Sequence, residues 1–456
     1  MESKHKLMGQ ENMTRLIVKF SIPSMIGLLV NAFYNIVDRI YIGRIPNTGH
    51  YDIAAVGLTM PMTIASFAIA LSIGMGASTL ISLRLGEKKK KLAEKYLGNA
   101  IIIGAIFSIL LTVVTLFSID GLLGVLGASE NTFKASKDYI EIIAIGYLFT
   151  IVGYTANAAI RSDGNPKIAM CTILIGAILN IILDPIFIFW MNMGVKGAAW
   201  ATIISQFASM MWALSYFYSK RSGIKLLNKN FKLKPVLWFQ IIRQGTAPGL
   251  LQLGSGLVVL VFNNMLKITS GDYAVSAMTI VQGINMFFIM PIFGINQALL
   301  PLAGYNYGAK LYDRVKGLLK RAILGAVIIG FIAFLSIQFG SKYFIYLFTY
   351  NQEVVSIAAK GLKLCTLVFP LAGFQIVSSI YFQAIGKPKV TMFLTLSRQV
   401  IFLIPLIIIL GKTFGGIGVW IAAPIADSLS FLVTLIMVKR EIKNLDYLKH
   451  KENILE

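Results

Sequence analysis

The 456-residue sequence is poor in acid, histidine, cysteine and polar stretches of any length. Two cysteines, Cys171 and Cys365, both inside apolar runs, exclude a disulfide framework. Three histidines, His5, His50 and His450, stand too far apart for metal-ligand spacing, which removes the common metalloenzyme motifs. Ionised side chains make up only 14% of the chain, and no segment is polar enough to form a soluble domain. What fills the sequence is apolar: 56% hydrophobic residues and a mean hydropathy of +0.74. Runs longer than the roughly 20 residues that cross a bilayer recur from end to end, so the solvent of this fold is lipid.

Twelve membrane helices are predicted, near residues 16–41, 53–83, 96–118, 138–160, 168–191 and 197–219, then 239–266, 273–303, 322–340, 354–384, 390–410 and 416–438. Lys and Arg outnumber Asp and Glu 42 to 20, and the excess sits in short loops rather than in one aromatic-lined patch. That distribution argues against nucleic acid and for topology. The N-terminus, every second loop, including Lys88 to Lys91 and the Lys220 to Lys234 connection, and the C-terminal tail are the basic ones. Both ends are therefore expected in the cytoplasm, which requires an even helix count. The first apolar run is too long for a signal-peptide core and is expected to stay as helix one. The expected organisation is an N-terminal six-helix lobe (1–219), a basic cytoplasmic linker (220–238) attracted to anionic lipid, a C-terminal six-helix lobe (239–438) and a cytoplasmic tail (439–456).

The halves repeat one another. Pro23 precedes Asp38 by the spacing at which Pro248 precedes Asn263; Asp52 precedes Gly74 as Asp272 precedes Gly294; Gly164-Asn165-Pro166-Lys167 matches Gly386-Lys387-Pro388-Lys389. Matched spacings at consistent offsets indicate a duplication with a pseudo-two-fold axis along the membrane normal, a plan suited to rocking of two bundles.

Function is expected where the repeat is broken. Asp38 faces Asn263, and Asp184 faces Ile404, so only the N-terminal half carries these two intramembrane carboxylates. Asn180 lies one turn from Asp184 on the same face, and Thr202 reaches a similar depth on the next helix. Carboxylates in hydrocarbon are expensive and mark ion or proton paths. Two of them with neutral oxygens nearby suit a proton or a hard cation. The bland reading pairs Asp38 with Arg39, but adjacent helical residues diverge by about 100°.

Three segments carry a resemblance: Tyr34-Asn35-Ile36-Val37-Asp38-Arg39-Ile40-Tyr41-Ile42-Gly43, Leu179-Asn180-Ile181-Ile182-Leu183-Asp184-Pro185, and Gly194-Val195-Lys196-Gly197-Ala198-Ala199-Trp200-Ala201-Thr202. Together they resemble the multidrug and toxic compound extrusion (MATE) family, most closely its MepA-like bacterial branch. The resemblance implies an all-α integral membrane protein with two six-helix lobes around a central cavity. It implies a monomeric antiporter of the bacterial inner membrane, exporting cationic or amphipathic drugs against inward Na⁺ or H⁺, with membrane lipid as surroundings and no other cofactor. The family's cation site maps onto Asp38, Asn180, Asp184 and Thr202, which would be the metal ligands if Na⁺ couples, and Pro23 stands where some members bend helix one. On the C-terminal side Asp427 has Arg398 at compatible depth, leaving an ion pair and a coupling role both open. Lys363 and Arg398 keep a lipid-linked oligosaccharide flippase as the nearest alternative. An integral-membrane enzyme would need a catalytic constellation that is not visible.

Overall fold

The computed structural model describes residues 7–46 and 48–455, and no strand occurs among them. Helices dominate because backbone N–H and C=O groups have no water to bond to inside a bilayer and must be satisfied within each span. Nine described helices are long and apolar enough to cross a membrane, and the bent pair Gln352–Cys365 and Phe369–Ala384, at 56°, makes a tenth. Val195–Tyr218 is long enough to span but less apolar. The final apolar stretch, Pro388–Glu452, is two helices parted at Gly415, whose φ of 62° only glycine adopts comfortably. The chain therefore folds as twelve spans: α1 Met13–Gly43, α2 Gly49–Gly86, α3 Lys90–Val125, α4 Glu130–Ser162, α5 Pro166–Pro185 with its continuation Ile186–Trp190, α6 Val195–Tyr218, α7 Pro235–Ser270, α8 Asp272–Gly308, α9 Tyr312–Tyr346, the bent α10, α11 over 388–414 and α12 over 416–455. Each predicted span is found, usually with a further turn or two at its ends. The break in α10 was not legible, since Thr366 to Val368 read as apolar as their neighbours.

The spans group into two compact units that do not divide where the sequence halves meet. One comprises Ile26–Gly249; the other comprises Met8–Met25 with Leu250–Glu456. The exchange is reciprocal. In the first unit, the start of α7 lies so close on α2 that a Cβ at Gly245 would fall 1.6 Å from the Ser72 carbonyl oxygen. In the second unit, a Cβ at Gly294 of α8 would meet Met25 of α1 at 2.3 Å. There too, Asn306 donates to the Met8 carbonyl at 3.0 Å and Arg314 to that of Glu11 at 2.7 Å. Both borders fall just after a proline, Pro23 and Pro248, each of which remains inside its helix.

The basic connection between halves is not a loose tether. Its Ser222, Ile224 and Leu226 are buried against the first unit. Asp163, beyond the end of α4, accepts from Tyr216 Oη at 2.5 Å, Gly223 N at 2.7 Å and Ser222 Oγ at 3.3 Å. Glu94 accepts from Lys225 N at 3.1 Å, and Asn99 Oδ1 from Lys234 N and Trp238 Nε1 at 3.1 and 2.9 Å. Nor is the tail beyond 438 loose: α12 continues as helix to Leu455, with Leu445 fully buried and Lys387 paired with Glu441.

Candidate functional site

Asp184 ends the regular part of α5 because Pro185 follows it. Proline supplies no N–H and crowds the preceding turn, and the helix continues over Ile186–Trp190 in a wider π-helical winding. The next helix starts against this wide stretch. Gly194 takes φ 57°, and a Cβ on Gly197 would lie 2.7 Å from the Phe187 backbone, so the Gly194-Val195-Lys196-Gly197 turn is what lets α6 approach α5. That approach sets Thr202 level with Asn180.

The result is a buried polar cluster in the first unit. Asp184 is fully buried and Asn180 is 2% exposed. Asn180 Nδ2 donates to Asp184 Oδ1 at 3.1 Å and lies 3.5 Å from Thr202 Oγ1. Asp38, on α1, is near enough for its charge to bear on Asp184. Three oxygens of this cluster, Asp38 Oδ1, Asp184 Oδ2 and Asn180 Oδ1, are buried without a hydrogen-bond donor. The four residues singled out from depth and repeat asymmetry thus share one neighbourhood. Two tyrosines belong there as well: Tyr34 and Tyr139 interact electrostatically with both acids. Tyr139, buried on α4, was missed, although its place nine residues into α4 lies toward the same side as Asp38 near the end of α1, the span that ends on the side where α4 begins.

Arg39 makes no close salt bridge with Asp38, although its charge bears on that acid. Its guanidinium lies 3.8 Å from Met60 Sδ and lines a cavity of about 110 Å³ with Ile42, Ile53, Val56, Gly57 and Met60. Divergence of neighbouring side chains on a helix accounts for this. Among the described residues no three of His, Cys, Asp or Glu gather as metal ligands; His5 lies outside them.

In the second unit Arg398 Nε donates to Asp427 Oδ1 at 2.6 Å, so the ion pair is present, held on a π-helical stretch, Ser397–Leu403, of α11. Asn263, the counterpart of Asp38, carries no charge, and Lys363 is exposed.

The MatE family model matches the chain twice, over residues 23–186 and again over 249–409. The chain belongs to the MatE family. One match per half also shows the duplication, and the family's members are membrane transporters, not enzymes. Over 93% of both chains the sequence is 28% identical to the multidrug export protein MepA of Staphylococcus aureus (strain MSSA476). It is 26% identical to MepA of Staphylococcus haemolyticus over 94% of both. An outward-facing multidrug resistance MATE transporter of the MOP superfamily superposes with a TM-score of 0.91 at 26% identity, covering 97% of this chain and 98% of that one. A MOP superfamily transporter from Pyrococcus furiosus, described as having a binding pocket of reversed polarity that suggests a different function, gives 0.90 at 26% identity over 96% and 98%. This protein is accordingly a multi-pass MATE transporter built as twelve helices in two pseudo-symmetric halves.

Proposed function

We propose that this transporter is a secondary active exporter of cationic and amphipathic organic compounds, driven by entry of Na⁺ or H⁺ at the Asp38–Asn180–Asp184–Thr202 cluster. One observation carries the reading: three buried oxygens of the cluster, two of them carboxylate, have no donor. An ionised carboxylate can only accept, and a buried acceptor without a partner costs on the order of 1–3 kcal/mol, more when charged. A cation recovers that cost: a proton converts one carboxyl into a donor, and Na⁺ takes several oxygens at once. An ion that binds one conformation more tightly than the other biases the equilibrium by its difference in affinity. Each charge crossing adds about 2.3 kcal/mol per 100 mV of membrane potential. Pro23 is the hinge residue in this reading, because a helix interrupted by proline bends at a defined place, and the border of the compact units falls two residues after it. Pro248 holds the matching position in α7.

The multidrug export named for the MepA relatives supports the substrate class. The flippase alternative loses one of its two cations, since Arg398 is held by Asp427. In this reading the protein works as a monomer in the bacterial plasma membrane, surrounded by lipid, with both termini in the cytoplasm. Purified protein in vesicles with an imposed Na⁺ or pH gradient tests the proposal. Uptake of an organic cation should follow one of the two gradients and disappear in Asp184→Asn. Transport by that variant at the wild-type rate, or indifference of the wild type to both gradients, would overturn it.

A further inference from the structure

The last span, α12, changes character along one face. Leu429, Leu432 and Ile436 follow one another at three- and four-residue intervals and are 38%, 54% and 54% exposed, so they form a stripe that meets lipid. The same intervals carry the stripe on to Arg440 and Lys443, with Lys439 beside it, and all three are exposed. Neither proline nor glycine interrupts the helix between Leu429 and Lys443, so the register holds. The face of α12 that touches acyl chains therefore turns basic where the helix leaves the hydrocarbon.

The opposite face holds the tail to the second unit. Thr434, Val438, Glu441 and Leu445 are buried there. Each described acid of the tail is engaged on the protein: Glu441 pairs with Lys387, Asp446 with Lys316, and Glu452 with Lys310 at 2.7 Å. Lys449 pairs in turn with Asp313 at 2.6 Å. These contacts, spread over about three turns, fix the rotation of the helix and leave no acid for its other side. Among the described residues Lys439, Arg440 and Lys443 form no salt bridge. Aligning Gly164 with Gly386 sets Phe217, Tyr218 and Arg221 opposite these three cations, and α6 ends at Tyr218, so the basic helical face occurs in one half of the repeat only.

Three cations within little more than one turn, without a counter-charge and in line with a lipid-facing stripe, call for an anion at headgroup depth. We propose that Lys439, Arg440 and Lys443 form a binding site for the phosphate of an anionic phospholipid whose acyl chains lie along Leu432 and Ile436. The occupant is a lipid rather than a soluble anion because the apolar and basic parts of the stripe are continuous, and a molecule carrying both a phosphate and acyl chains meets both. Two flexible ammonium groups and one planar guanidinium suit a phosphate approached from several sides. The tail helix is thereby held twice, by its acids on the second unit and by its bases at the membrane surface. The site shares no residue with the Asp38–Asp184 cluster and does not depend on the efflux reading.

The photo-reactive residue p-benzoylphenylalanine in place of Ile436 reports which lipid lies one turn from the cluster. The purified full-length protein is placed in nanodiscs of equimolar phosphatidylcholine and phosphatidylglycerol and irradiated, and the cross-linked lipid is identified by mass spectrometry. A basic side chain near the surface favours an anionic lipid roughly fivefold, so phosphatidylglycerol should exceed phosphatidylcholine about tenfold or more. The ratio should fall to within about twofold of unity in Lys439→Gln/Arg440→Gln/Lys443→Gln, and persist in Lys439→Arg/Lys443→Arg, which keeps the charge. The same probe in place of Phe331, an exposed residue in the middle of α9, should give a ratio near unity. Raising the ionic strength from about 0.1 to 1 M shortens the screening length from about 10 to 3 Å and should lower the wild-type ratio at Ile436, a test that needs no substitution in the cluster. A ratio that is no higher at Ile436 than at Phe331, that survives the triple glutamine substitution, or that ignores salt would overturn the proposal. So would loss of the preference in millimolar inorganic phosphate, because the site would then belong to a soluble anion.

Discussion

At the scale of single residues, two buried acids of the same chemistry are used oppositely. Asp427 is satisfied by Arg398 at 2.6 Å, whereas one oxygen of Asp184 has Asn180 and the other nothing. Removing one member of a buried pair strands the other charge at a cost of about 3 kcal/mol, while removing both is close to neutral. Asp427→Asn should therefore lower thermal stability in detergent, and Asp427→Asn combined with Arg398→Gln should recover most of the loss. Asp184→Asn should behave in the reverse way, with unfolding temperature kept or raised and ion-driven transport abolished, because an amide in place of an unsatisfied carboxylate removes a burden on folding. A stable Asp427→Asn protein that binds substrate yet cannot couple its export would move the essential site to the C-terminal half.

At the scale of elements, glycine contacts decide which helices can touch. The start of α7 lies on α2 only because Gly245 has no Cβ, and the obstacle there is backbone, the Ser72 carbonyl, which cannot swing aside. Gly245→Ala should cost at least about 1–3 kcal/mol of stability, seen as a drop in folded protein by fluorescence size-exclusion chromatography. Gly57→Ala, with nothing within 4 Å of the added atom, is the matched control and should leave the elution profile unchanged. The helices themselves were legible as apolar runs of spanning length. Their exchange between units was not, because no local property of residues 8–25 distinguishes packing on one half from packing on the other.

At the scale of the whole molecule, the connection between halves is fastened to the first unit by Asp163, Glu94 and Asn99. Asp163→Ala removes the acceptor for Tyr216, Ser222 and Gly223 together, and should make the bonds after Lys220 and Arg221 open to trypsin. In sealed, oriented vesicles that cleavage should occur only from the cytoplasmic face, since the charge density of this segment resists translocation. Cleavage from the outer face would reverse the topology.

Sequence alone determined the class of protein, the number of spans and the duplication, and it singled out the four oxygen-bearing residues of the candidate ion site. Each of these follows from hydrophobicity counted along the chain, from spacing, or from the rarity of carboxylates in hydrocarbon. Tertiary structure decided the rest. That Asp427 is paired, that Tyr34 and Tyr139 join the two acids, that the linker is anchored, and that Arg161 turns inward all depend on which side chains meet across helices distant in sequence. Arg161 shows the reason most plainly: as a letter beside a basic turn it reads as a topology signal, and only the packing of distant helices around it shows its guanidinium buried and donating to Asn157.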